Sequence, residues 1–125
     1  MTRTSGRLAV WLAVGAVVTA CGDNSGPNQQ PPVVSVEVGN DFFTSVHNGS
    51  SNPAVDTVAV DGRVTWTWAE LGTHDIDPTG SPSFPASEEM LQPGSTYSVT
   101  FTVPGTYTYE CSVHGAPMAG RVVVQ

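Results

Sequence analysis

The chain has 125 residues, of which 39% are hydrophobic and 12% charged, and its formal net charge is −7. It has no lysine, and its four arginines face eleven acidic residues. That balance repels phosphate backbones and anionic lipid, so nucleic acid is excluded and a basic partner is favoured. The length leaves room for one domain of modest core.

Arg3 and Arg7 give a positive start, Leu8 to Ala20 (LAVWLAVGAVVTA) is apolar, and small residues precede Cys21. The apolar run is too short for a comfortable membrane span, which predicts a signal peptide over residues 1–20. Val18-Thr19-Ala20-Cys21 resembles a bacterial lipobox, in which the cysteine is lipidated and becomes the first residue of the mature protein. Residues 21–32, rich in Gly, Asn, Gln and Pro, predict a flexible tether behind that anchor. Losing Arg3 and Arg7 leaves two basic residues against eleven acidic ones, a net charge of −9. The expected location is the periplasmic face of the cell envelope, with the lipid at Cys21 as the sole membrane contact.

The remainder reads as short strands separated by Gly, Pro and Asp turns. VVSVEV (Val33 to Val38) is β-branched and stops at Gly39-Asn40-Asp41. TSVHNGSSNPAV (Thr44 to Val55) is a long polar loop of no assigned role, and DTVAV (Asp56 to Val60) runs into the turn Asp61-Gly62. In RVTWTWAE (Arg63 to Glu70), Val64, Trp66 and Trp68 alternate with threonines, the period of a half-buried strand. PASEEMLQPG (Pro85 to Gly94) has room for one helical turn at most. STYSVTFTV (Ser95 to Val103) alternates again, with Tyr97, Val99, Phe101 and Val103 on one face. Pro104-Gly105 turns the chain, and TYTYEC (Thr106 to Cys111) sets Tyr107, Tyr109 and Cys111 on one side. GRVVVQ closes the domain. Strands at this spacing predict an all-β, Greek-key antiparallel sandwich or barrel.

The chemistry concentrates in YECSVHGAPMAG (Tyr109 to Gly120). With Cys21 committed to processing, Cys111 is an unpaired thiol in an exported protein, which calls for something to shield or use the sulfur. Cys111 ends a strand, and His114 and Met118 lie on the loop returning to the last strand, so three donors can meet at one point. Methionine is a poor zinc ligand, whereas a thiolate, two imidazoles and a weak thioether suit copper in electron-transfer sites. One more histidine is needed. His74, in LGTHDIDP just after the tryptophan strand, sits at a rigid strand end. His47, in the polar loop, reads as a solvated residue. Asp75 and Asp77 lack the further oxygen ligands of a calcium loop.

Taken in order, VDGRVTWTW, GTHDI, GSTYSVTF and PGTYTYECSVHGAPMAG resemble the cupredoxins of the plastocyanin, pseudoazurin and amicyanin group. The resemblance spans residues 33–125 and assigns them to one cupredoxin-like copper-binding domain. It implies one type 1 copper per chain, held by His74, Cys111, His114 and Met118, with Met118 as the weak axial contact. Two features depart from the family pattern. Three residues, Gly115, Ala116 and Pro117, separate His114 from Met118. Asp75 stands where the family often has an Asn tying the two ligand loops together, and its carboxylate is expected to lower the potential and make it depend on pH. A binuclear purple centre needs a second cysteine in the loop and is excluded.

Such a copper is coordinatively filled, so the expected function is one-electron transfer and not catalysis. His114, Gly115, Ala116 and Pro117 form the expected electron port. The expected partners are redox proteins with a basic docking face, such as a cytochrome c or a copper enzyme, met by a monomer. The rival readings are a periplasmic copper carrier or buffer and a metal-free cupredoxin-like binding module.

Overall fold

A computed structural model of the chain describes residues 32–125, so the predicted signal peptide, Cys21 and nearly all of the predicted tether lie outside the described residues. Eight strands follow one another: β1 (Val33–Gly39), β2 (Phe42–Ser45), β3 (Ala54–Val58), β4 (Gly62–Trp68), β5 (Asp77–Pro78), β6 (Thr96–Phe101), β7 (Gly105–Cys111) and β8 (Gly115–Val124). They form two four-stranded sheets, ordered β2-β1-β4-β6 and β3-β8-β7-β5. Among the described residues there is no helix. The all-β sandwich is therefore the observed architecture.

The pairing departs from a wholly antiparallel pattern in two places. Strand β1 runs parallel to β4, with Val36 opposite Trp66 and Val38 opposite Trp68. Strand β3 likewise runs parallel to β8. Tight hairpins yield only antiparallel neighbours, whereas a strand that returns after crossing to the other sheet is free to enter in either direction. Here the chain leaves β2 for β3 in the opposite sheet and comes back as β4 beside β1. One consequence bears on function. The C-terminal ends of β1 and β4 lie side by side, so the β1–β2 turn and the loop carrying His74 share one end of the sandwich.

Strand β4 shows why the sequence makes these layers. Val64, Trp66 and Trp68 are completely buried. Their neighbours form a polar outer face, where Thr65 and Ser98 hydroxyls meet at 2.8 Å across β4 and β6. The inner faces meet in an aromatic core. The Tyr109 ring sits edge-on to Trp66 at 5.3 Å and to Phe43 at 5.1 Å. Phe84, from the long segment after β5, stacks on Trp66 at 5.9 Å and closes the side of the sandwich. The Tyr97 hydroxyl donates to the Pro85 carbonyl and holds that segment in place.

Strand β2, unassigned from sequence, continues β1 through the two-residue turn Asn40-Asp41. Asp41 takes a positive φ of 63°, a conformation that Asn and Asp tolerate better than most residues. Strand β8 begins at Gly115, so Met118 belongs to a strand and the connecting loop is shorter than expected.

One buried acid sits inside this core. Asp56, on β3, is 1% exposed; the Ser45 hydroxyl donates to its Oδ1 at 2.6 Å, while Oδ2 has no partner. Burial raises the carboxyl above its ordinary value, against the smaller opposing pulls of Ser45 and His47. A pKa raised on folding means that the native state holds this proton more tightly than the unfolded chain. The penalty for ionising Asp56 is absent below the ordinary carboxylate range and appears as pH rises through the raised value. Asp56→Asn should therefore be more stable than the parent at pH 7, by about 1 kcal/mol, and unfold at a higher temperature. That advantage should shrink toward pH 4, as thermal melts at both pH values will show.

Candidate metal centre

His74 lies in the loop after β4, and its backbone is clamped from both sides. Its N–H donates to the Met90 carbonyl at 3.1 Å, and the Met90 N–H donates to the His74 carbonyl at 2.9 Å. Two residues on, the Ser87 hydroxyl accepts from the Ile76 N–H at 2.9 Å. Segment 85–91 thus acts as a splint for the loop. The His74 ring is 1% exposed, and its Nε2 has no hydrogen-bond partner. Gly72 packs against that nitrogen so closely that an added Cβ would lie 2.6 Å from it.

Cys111 ends β7 with its side chain inward, following Tyr107 and Tyr109 on the same face. The sulfur is fully buried and free of any disulfide. A register shift at Glu110/Cys111 lets Cys111 pair with Gly115, and the His114 N–H donates to the Cys111 carbonyl at 3.2 Å. The turn 112–114 thereby folds His114 back over the sulfur. Gly115 leaves this turn at a φ of 69°.

These elements bring His74, Cys111 and His114 together with donor atoms within 4.8 Å of one another, the one such group among the described residues. The Cys111 Sγ lies 3.4 Å from His114 Nδ1 and 3.9 Å from His74 Nδ1. The two rings are tilted by 37° with centroids 4.8 Å apart. Both imidazoles therefore turn the same nitrogen toward one sulfur. Burial, and next the neighbouring His114, hold the His74 imidazole below its ordinary value against the opposing pull of Asp41 and Asp75. An uncharged His74 keeps a lone pair free for a metal at neutral pH.

Met118 is fully buried on the inner face of β8, where it alternates with Gly120, Val122 and Val124. Its neighbour Ala119 pairs with Glu110, the residue before Cys111. Asp75 spans the two loops: its Oδ1 accepts from the Ser112 N–H at 2.7 Å and its Oδ2 from the Ser112 hydroxyl at 2.6 Å. His47 is exposed and stands outside the cluster. Asp77 pairs with Glu110 across β5 and β7 and joins no cluster.

The His114 ring differs from its expected exposure in one respect. Its side chain is 31% exposed, yet Nε2 is not bare: it lies 2.8 Å from Asp41 Oδ1. Asp41 escaped the sequence reading because an acid in a two-residue turn looks like an ordinary turn former. No spacing motif links it to the loop after β7.

The donor set is one soft thiol sulfur and two imidazole nitrogens, all converging at the mouth of a stiff sandwich. That chemistry fits copper better than calcium or magnesium, which take oxygen ligands. Comparisons with known proteins agree. Residues 18–125 match the family described as copper binding proteins, plastocyanin/azurin family. The chain is 28% identical to a plastocyanin from Prochlorothrix hollandica over 99 residues, covering 74% of this chain and 72% of that one. It is 42% identical to amicyanin-alpha from Methylorubrum extorquens over 64 residues, covering 50% of this chain and only 53% of that relative. Among solved structures, a purple cupredoxin from Nitrosopumilus maritimus superposes with a TM-score of 0.56 at 25% identity, over 74% of this chain and 98% of that one.

Proposed function

The chain belongs to the copper-binding plastocyanin/azurin family, a cupredoxin with copper as its cofactor, and from that premise we propose that it carries single electrons between redox proteins in the bacterial cell envelope. The observation that carries this reading is the convergence of His74 Nδ1 and His114 Nδ1 on the buried Cys111 sulfur. Those three residues, with Met118 as the weak fourth donor, hold one type 1 copper. Bound there, copper supplies a one-electron couple between Cu(I) and Cu(II).

The protein's own contribution is to keep the donors where they are. His74 is clamped by Met90, and Asp75 ties its loop to Ser112, next to Cys111. A frame that sets the ligands in advance leaves little to rearrange when an electron arrives or departs. With the donor positions filled there is no seat for a substrate, so the protein is a carrier and not an enzyme. The burial of His74, Cys111 and Met118, with His114 alone reaching the surface, favours this role over a copper buffer, which needs an open site.

Around His114, the residues Ala116 and Pro117 are exposed and Gly115 partly so. Leu71, Val113 and Leu91, on loops that run beside the cluster, are exposed as well. Together they make a small apolar docking face and electron port. The acidic balance of the chain draws a basic redox partner to it, in a brief and salt-sensitive contact. Residues 33–125 form the working domain, which residues 21–32 tether to a lipid at Cys21 once residues 1–20 are removed. Detergent-phase partitioning that survives Cys21→Ala would overturn the anchor.

The test is spectroscopic. Adding Cu(II) to the purified protein should give an intense thiolate-to-copper band and a narrow copper hyperfine splitting. A colourless protein with ordinary tetragonal copper would refute the reading. Met118→Gln, close to it in volume, should keep the thiolate band while shifting its position and the reduction potential. Unchanged values would remove Met118 from the site.

A further inference from the structure

We infer that Asp41 is a positioning residue for His114, selecting the ring orientation and tautomer in which Nδ1 faces the metal; the inference rests on the type 1 copper reading above. The geometry is a chain of three groups. Asp41 Oδ1 lies 2.8 Å from His114 Nε2, and His114 Nδ1 lies 3.4 Å from the Cys111 sulfur. A neutral imidazole carries one N–H and one lone pair. With a carboxylate on Nε2 that nitrogen is the donor, and the lone pair falls on Nδ1, the atom turned toward Cys111 and His74. A histidine that donates to a carboxylate is also a more basic metal ligand.

Asp41 is itself well placed. It occupies the tight β1–β2 turn at a φ of 63°. The Asn52 Nδ2 donates to the Asp41 carbonyl at 3.0 Å, and the Phe43 N–H donates to Asn52 Oδ1 at 3.1 Å. The polar loop after β2, without a role in the sequence, thus braces the turn that reaches across to His114. Both side chains face solvent, Asp41 at 61% and His114 at 31%. An exposed pair of this kind contributes little to folding. Its consequence lies in where the ring points.

Asp41→Gly removes the carboxylate and suits the positive φ, whereas Asp41→Asn keeps an acceptor oxygen and removes the charge. In metal-free protein at pH 8, ¹⁵N-resolved spectra should show His114 as the Nε2–H tautomer in the parent and in Asp41→Asn. Asp41→Gly should give a mixture of tautomers. In copper-loaded protein the thiolate band should persist in all three. Cu(II) affinity should fall on the order of tenfold in Asp41→Gly. The reduction potential should rise in both variants, as a less basic imidazole favours Cu(I). Unchanged tautomers and an unchanged potential in Asp41→Gly would overturn the inference while leaving the copper centre intact. Loss of the thiolate band in the parent itself would instead overturn the type 1 reading, and the metal-free spectra would still report on Asp41.

Discussion

Replacing Cys111 by serine should abolish the intense visible band of the copper-loaded protein and widen its copper hyperfine splitting. The sulfur contributes two properties that oxygen does not. Sulfur is a soft ligand that binds copper as a thiolate, whereas a serine hydroxyl is a hard and weak donor. The band arises from charge transfer out of that thiolate, so it vanishes with the sulfur. Cu(II) affinity should fall by more than the roughly 10–100-fold that loss of an outer-shell partner costs. The fold should survive. Cys111 is buried with its sulfur 3.4 Å from His114 Nδ1, so a serine hydroxyl has an acceptor within reach where the sulfur sat. Stability should change by only about 1 kcal/mol. Spectra of both proteins with Cu(II), together with thermal melts of the metal-free forms, separate the two effects. A serine variant that keeps the band would remove Cys111 from the centre.

The residues behind that prediction were largely legible in the chain, for physical reasons that differ from place to place. Val64, Trp66 and Trp68 announced an inward face because a strand repeats every two residues, and all three are buried. Cys111 and His114 are close in sequence, and a short turn brings them together whatever else the fold does. His74 was inferred from its strand end, but what fixes it is the exchange of backbone bonds with Met90, a contact that no local pattern encodes. Strand β2 was missed because FFTS is short and abuts a polar loop. Its hairpin signal, Asn40-Asp41, was read only as the end of β1. Met118 was assigned to a loop because Ala116-Pro117-Met118-Ala119 lacks β-branched residues, yet pairing with β7 draws this stretch into β8. The parallel pairings of β1 with β4 and β3 with β8 follow from sheet crossings, which strand propensity does not specify. The contact between Asp41 and His114 depends on those crossings and was invisible for the same reason.

Gly120→Ala should destabilise the core by a single added methyl. A Cβ at this position would fall within the van der Waals radii of Tyr109 Cζ and its hydroxyl oxygen. A flexible neighbour could swing aside, but Tyr109 is 1% exposed and packed edge-on against Phe43 and Trp66, with Phe84 6.3 Å away. The ring has no open direction, so β8 must move away from β7 or the aromatic cluster must repack. Overpacking of this kind costs about 1–3 kcal/mol, enough to lower the melting temperature on the order of 10 °C in a domain of this size. The displacement should also reach the metal. Tyr109 pairs directly with Gly120, Cys111 lies two residues beyond Tyr109, and Met118 lies two residues before Gly120. The variant should therefore show a shifted thiolate band as well as a lower melting temperature. Tyr109→Leu shortens the side chain and removes the clashing Cζ, Cε2 and hydroxyl oxygen, at the cost of a cavity of its own. If the clash is the cause, the double variant should be more stable than the sum of the two single losses predicts, with a coupling of about 1 kcal/mol or more. Additive losses in the melts would mean that Gly120 matters for a reason other than the Tyr109 ring.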